Sequence, residues 1–138
     1  MVIVVGIDGS GTSLRAGAYA VGMARRQGAR LIGVFVRPPS GGTLSLGDPF
    51  GASIASAFAR PEAVESEFRD TLRRERLAVD FETVVRTGDP FTELCQVATE
   101  RWADAVVVGR SERILHRIAG SVADRLVRCG RWPVTVVP

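Results

Sequence analysis

The sequence predicts a single α/β domain built on a parallel β-sheet, and three observations carry that prediction. Short apolar runs rich in β-branched residues alternate in strict order with amphipathic stretches of helical period. Most of those runs are continuously apolar rather than alternating, as strands covered on both faces are. The length, 138 residues of which 46% are hydrophobic and 24% charged, suits one soluble domain that buries about two thirds of its unfolded surface. Single helices between successive strands imply right-handed crossovers, which place helices on both faces of the sheet.

The elements follow in order. Val2 to Ile7 is a first strand, ended by Asp8-Gly9-Ser10-Gly11. The stretch after it carries Leu14, Ala18 and Val21 on one face and reads as a helix capped by Ser13. Leu31 to Val36 is a second strand. Arg37 to Arg60, with Pro38-Pro39-Ser40-Gly41-Gly42 and Gly47-Asp48-Pro49, is expected to be a flexible insertion placed like a lid, since loops longer than about 12–15 residues are usually functional or disordered. A second helix runs from Pro61, in the favoured first helical position, to Arg76, with Val64, Phe68 and Leu72 inward. Val79 to Arg86 alternates Val79, Phe81, Thr83 and Val85 with Asp80, Glu82, Val84 and Arg86, the pattern of an edge strand with one wetter face. Asp89-Pro90 is a cap and first-position pair for a third helix with Leu94, Val97 and Ala98 inward. Ala105 to Gly109 is a fourth strand, Gly120 to Arg131 a fourth helix with Val122, Leu126 and Cys129 on its core stripe, and Pro133 to Val137 a fifth strand. Trp102 and Trp132 each end a helix and are expected to pack over its last turn.

Charge narrows the function classes. All 18 basic residues are arginine, which excludes a Walker lysine, a Schiff base and a lysine general base. The net charge is +3, yet the arginines of the second helix alternate with Glu62, Glu65, Glu67, Asp70 and Glu75, a solvated, ion-paired face rather than a nucleic-acid stripe. Neither a signal-peptide pattern nor an apolar run near the ~18 residues of a membrane span is present, so a cytoplasmic protein without membrane contact is expected. Cys95 and Cys129 read as inert core thiols of a reducing compartment. His116, the one histidine, reads as a surface loop residue. No nucleophile and base pair, carboxylate dyad or metal-ligand spacing emerges, so no catalytic or metal site is expected.

The chemistry concentrates at Ala105-Val106-Val107-Val108-Gly109-Arg110-Ser111 and Gly120-Ser121-Val122, a buried strand, a basic loop and a helix start. Such a junction turns unpaired backbone N–H groups and the positive end of a helix dipole toward an anion, and its glycines let a phosphate approach without meeting a Cβ. In parallel sheets ligands bind beyond the carboxyl ends of the strands, where strand order reverses. Asp8 to Thr12, Val36 and Gly109 to Ser121 converge there. The candidate ligand-binding residues at this edge are therefore Asp8, Gly9, Ser10, Val36, Gly109, Arg110, Gly120, Ser121 and Val122. Arg110, Arg113, His116 and Arg117 surround one acid, Glu112.

Five segments in order, Ile7-Asp8-Gly9-Ser10 with Ser13 and Ala16, Gly88-Asp89-Pro90, Ala103 to Gly109, Gly120 to Arg128 and Pro133 to Val137, resemble the universal stress protein family over nearly the whole chain. The resemblance implies a five-stranded Rossmann-like sheet, of the adenine nucleotide alpha hydrolase-like kind, in the order 3-2-1-4-5. It implies that the ligand of those candidate residues is a nucleotide, that Asp8 bonds a ribose or adenine edge, beside the alternative that Asp8 orders its turn, and that Val36 offers its backbone to adenine. ATP-binding members resemble G-x2-G-x9-G-[S/T] after the fourth strand. Here Glu112 stands at the second glycine and only seven residues, 113–119, separate it from Gly120. A carboxylate beside a polyphosphate costs on the order of 1 kcal/mol or more. The leading expectation is thus a small cytoplasmic, non-enzymatic, dimeric stress-response module with a degenerate nucleotide site and no firm cofactor, acting through protein partners. The alternative is a switch that binds ATP or AMP, with Mg, through the Gly109 to Ser121 loop. Val134, Thr135, Val136 and Val137, an uncharged strand at a sheet edge between two prolines, form the expected homodimer interface.

Overall fold

The computed structural model describes residues 1–37, 61–74, 78–111 and 121–138. The insertion predicted over Arg37 to Arg60 lies outside them beyond Arg37, as do Glu75, Arg76, Glu112, Arg113, His116, Arg117 and Gly120. The elements are β1 (Val2–Ile7), α1 (Gly11–Gln27), β2 (Arg30–Arg37), α2 (Pro61–Arg74), β3 (Phe81–Thr87), α3 (Pro90–Glu100), β4 (Ala105–Gly109), α4 (Val122–Cys129) and β5 (Val134–Val137). The strands form one sheet in the order β3-β2-β1-β4-β5 with every pairing parallel. Strand order reverses between β1 and β4, so the carboxyl ends of those two strands flank the switch point.

Successive strand residues enter opposite faces, which is why the strands read as unbroken apolar runs. Ile3, Val5, Ile7, Leu31, Phe35 and Val107 pack on the face covered by Ala16, Ala20 and Val21 of α1 and Val64 and Leu72 of α2. Val4, Ile32, Val34, Val106 and Val108 pack on the other, against Leu94 and Val97 of α3 and Ala123 and Leu126 of α4. Removing each such side chain from water is worth about 1.5–3 kcal/mol. β3 is an edge strand, as its alternation predicts, but Val84 on its wetter face packs against the second cluster. The charges on that face are paired: Glu82 with Arg30 and Arg101, Arg86 with Glu100. Glu65 and Arg69 of α2 pair one turn apart, as its charge pattern predicts.

Two expectations are corrected. The buried face of α1 is Thr12, Ser13, Ala16, Gly17, Ala20, Val21 and Ala24, whereas Leu14 is 43% exposed and Ala18 is exposed. The helix lies too close to its neighbours for a leucine: a Cβ on Gly17 would stand 2.6 Å from the Phe68 ring. Trp102 does not pack over its helix. It adopts φ +53° directly after α3 and is 87% exposed, while Trp132 does pack, against the second cluster. No described helix is long and apolar enough to cross a membrane.

Candidate functional site

The turn after β1 is built by its own side chains. Asp8 accepts a hydrogen bond from the Ser10 N–H at 2.9 Å, the aspartate turn that forms the alternative reading of this residue. Gly9 then takes φ +86°, a left-handed conformation that glycine adopts without a Cβ penalty. Ser10, not Ser13, caps α1: its Oγ accepts from the Ser13 N–H at 3.2 Å. Ser13 is buried instead, its hydroxyl donating to the Ser10 carbonyl at 3.0 Å and accepting from the Asp8 N–H at 3.2 Å. The first turn of α1 itself carries no acidic residue, although the Asp8 carboxylate stands just before it on the Ser10 N–H, and the positive end of its dipole faces the switch point.

β4 reaches the same place from the other side. Gly109 lies so near the start of α1 that a Cβ would stand 2.6 Å from the Thr12 carbonyl carbon and 2.7 Å from the Ser13 nitrogen. The glycine is therefore required by packing, whether or not a phosphate also uses it. The Arg110 N–H donates to the Val137 carbonyl at 2.7 Å, and its side chain is exposed where the sheet ends. Ser121 caps α4, accepting from the Asp124 N–H at 3.1 Å, and the helix runs from Val122 to Cys129, shorter than the expected Gly120 to Arg131. Val122 opens that helix, half-buried against the second cluster. Val36 lies one position beyond Phe35, the register partner of Ile7. Its side chain packs into the second cluster, which leaves only its backbone for a ligand. The structure thus brings Asp8, Gly9, Ser10 and Gly109 together, with Val36 on the adjoining strand and Ser121 and Val122 at the start of α4. Gly120 lies outside the described residues.

One feature of this edge escapes a reading of the sequence. Asp89 caps α3, accepting at Oδ2 from the Thr92 N–H at 3.0 Å and the Thr92 hydroxyl at 2.8 Å, and at Oδ1 from Arg125 of α4 at 3.1 Å. The Arg125 guanidinium lies 4.1 Å over the Phe91 ring. Asp89-Pro90 signals the cap, but nothing in the chain signals a partner 36 residues away. Partial burial pushes the Asp89 carboxyl up, and the Thr92 hydroxyl, Arg125 and the Thr92 N–H outweigh it, leaving the group below its ordinary 3.8. A carboxyl depressed in the folded state stabilises the fold above its unfolded pKa and loses that contribution as pH falls through the folded one. Asp89→Ala is accordingly expected to cost about 1 kcal/mol at neutral pH, and less below pH 3.8. Urea midpoints of both proteins across that range check it; a cost independent of pH contradicts it.

Among the described residues no group of three or more His, Cys, Asp or Glu side chains is arranged to hold a metal ion. The chemistry on offer at the switch point is backbone and hydroxyl hydrogen bonding to an anion at a helix start.

The chain matches the universal stress protein family over residues 1–138. No curated protein sequence matches it. Among solved structures, a universal stress protein in complex with cAMP is 28% identical, with a TM-score of 0.75 over 100% of this chain and 97% of that one. A member of the family from Burkholderia pseudomallei is 28% identical, with a TM-score of 0.64 over 99% and 95% of the two chains. The universal stress protein from Archaeoglobus fulgidus in complex with dAMP is 25% identical, with a TM-score of 0.68 over 100% and 98%.

Proposed function

We propose, from the premise that this chain belongs to the universal stress protein family, that it is a non-catalytic regulatory protein whose switch-point crevice takes an adenine nucleotide with a single phosphate. The observation that carries this reading is the meeting of the α1 start, the Asp8-Gly9-Ser10 turn and the Gly109 end of β4 at one sheet edge. Support comes from two relatives of the same fold whose bound ligands, cAMP and dAMP, each carry one phosphate. A single phosphate needs only the helix-terminus N–H groups. A triphosphate must also run along the Gly109 to Gly120 segment, which here is two residues short of the ATP-binding pattern and carries Glu112.

Titration calorimetry tests the reading. AMP or cAMP is expected to bind, and Mg-ATP to bind at least about fivefold more weakly, the factor that about 1 kcal/mol of repulsion produces. Glu112→Gly narrows the gap if charge is the obstacle and leaves it unchanged if the missing residues are. Equal, low-micromolar binding of Mg-ATP contradicts the proposal. One observation favours a second reading, a module that has lost its nucleotide and works through protein contacts: Gly109 is accounted for by the Thr12 and Ser13 backbone. That reading predicts no mononucleotide binding and no nucleotide in the mass spectrum of gently purified protein.

A further inference from the structure

Among the described residues, every half-buried charged side chain except Glu93 has an ion-pair partner. Glu65 pairs with Arg69, Glu82 with Arg30 and Arg101, Arg86 with Glu100, Asp124 with Arg128, and Arg125 with Asp89. Glu93, in the first turn of α3, is half-buried, and its carboxylate has no hydrogen bond or ion pair among the described residues. A carboxylate withdrawn from water without a partner costs free energy. The dipole of α3 favours an acid in its first turn, but Asp89 already caps that helix, so capping does not account for where Glu93 lies. Its side chain folds back over Gly88: a Cβ there would stand 2.7 Å from the Glu93 Oε1 and 3.3 Å from its Cδ and Cγ. Gly88 follows the end of β3, and its N–H donates to the carbonyl of Arg37, the last residue of β2, at 2.9 Å. Leu94, the next residue of α3, covers Gly6 of β1, where a Cβ would stand 3.0 Å from the Leu94 Cδ1, and it shares a cluster with Val36. The free carboxylate therefore stands at the carboxyl edge of the sheet, beside the ends of β2 and β3.

We propose that Glu93 selects the base of the ligand by accepting a hydrogen bond from the exocyclic amine of adenine. The inference rests on the adenine mononucleotide proposed above and adds the residue that tells adenine from other purines. A phosphate at the start of α1 lies at the ends of β1 and β4. The strands run β3-β2-β1-β4, and neighbours lie about 4.8 Å apart, so Glu93 stands roughly two strands, or about 10 Å, from the phosphate. That distance weakens the repulsion between the two charges and brings the carboxylate to the far edge of a purine. On the other side the end of β4 is tied to β5 by the Arg110 N–H and the Val137 carbonyl, which directs the base toward β2. An ionised carboxylate accepts hydrogen bonds and donates none. Where adenine presents an amine, guanine and hypoxanthine present a carbonyl oxygen, which Glu93 repels. Asp89 does not compete for the amine, because its oxygens are taken by Thr92 and Arg125.

Titration calorimetry on the whole protein tests the proposal with three probes: AMP, purine riboside 5′-monophosphate, which lacks the amine, and IMP, which carries oxygen in its place. The parent is expected to bind AMP about tenfold more tightly than purine riboside 5′-monophosphate, the factor a hydrogen bond to a charged group supplies, and IMP more weakly still. Glu93→Ala should bring AMP down to the affinity of purine riboside 5′-monophosphate, whose own binding stays unchanged because its phosphate contacts are intact. Glu93→Gln, whose amide oxygen still accepts, should keep part of the preference. Equal losses for both nucleotides in Glu93→Ala, which a purely structural role gives, overturn the inference, as does an AMP affinity that the substitution leaves unchanged. A parent that binds AMP and purine riboside 5′-monophosphate equally overturns it while the mononucleotide reading stands. A parent that binds no mononucleotide overturns both.

Discussion

Gly109→Val is expected to lower the stability of the fold by about 3 kcal/mol, and Gly109→Ala by about 1–3 kcal/mol. Position 109 ends a β-strand, where valine is ordinarily preferred to glycine, and replacing glycine by alanine gains about 0.4–1 kcal/mol by restricting the unfolded chain. Both local effects favour the substitution. They lose because the new Cβ would lie 2.6 Å from the Thr12 carbonyl carbon and 2.7 Å from both the Thr12 oxygen and the Ser13 nitrogen. Those atoms belong to helix backbone, not to a flexible side chain, so α1 must move as a body. Because the Ser10 and Ser13 hydroxyls are bonded into the same turn, the shift should also disturb the nucleotide edge. Thermal and urea unfolding check the result. An unchanged or raised melting temperature would show that Gly109 is held by ligand chemistry and not by packing.

Val136→Arg is expected to convert a dimer into a monomer. β5 pairs with β4 on one side, and its other side is a sheet edge among the described strands. Val136 is 39% exposed there, while Val137 packs toward α1 and Val134 toward the opposite cluster. The strand carries no charge, and α1, anchored to the chain end by Arg15 Nε donating to the Pro138 carbonyl at 2.9 Å, leaves Leu14 exposed nearby. An apolar edge of this kind is a template for a second copy. Antiparallel pairing about a two-fold axis would close the proposed assembly, and Pro133 and Pro138 would confine it to the residues between them. An arginine at 136 places two guanidinium groups across that axis. Sedimentation at micromolar concentration should show the parent as a dimer and the variant as a monomer. A monomeric parent, or a variant that remains dimeric, defeats the proposed interface.

The sequence made the architecture legible because each strand is an apolar run and each boundary a turn or cap. Ile7 followed by Asp8-Gly9-Ser10, Asp89 before Pro90, and Ser121 before Val122 all mark element ends that the structure confirms. The strand order itself follows from the family resemblance. What was not legible depends on distance between backbones. A periodic reading puts the largest aliphatic of α1, Leu14, inward; the close approach of Gly109 to Thr12 and of Gly17 to Phe68 demands small residues and turns Leu14 out. Ser13 looked like the cap because it stands among helix-forming residues, yet the chain becomes helical earlier, at Gly11, and Ser10 takes the role. The Arg125 to Asp89 bridge joins helices separated by a whole strand, and no local pattern announces it. At the candidate site, residue types, their order and the turn role of Asp8 were readable, whereas the packing role of Gly109 was not.

The proposed ligand, an adenine mononucleotide, would occupy the edge formed by the ends of β1 and β4, and backbone amide chemical shifts recorded while AMP or cAMP is added report on that edge residue by residue. Saturable shifts are predicted at Gly9, Ser10, Gly11, Thr12, Arg110, Ser121 and Val122, with little change at the opposite edge around Trp102 and Asp104. Shifts absent at saturating nucleotide, or concentrated at that opposite edge, would contradict it.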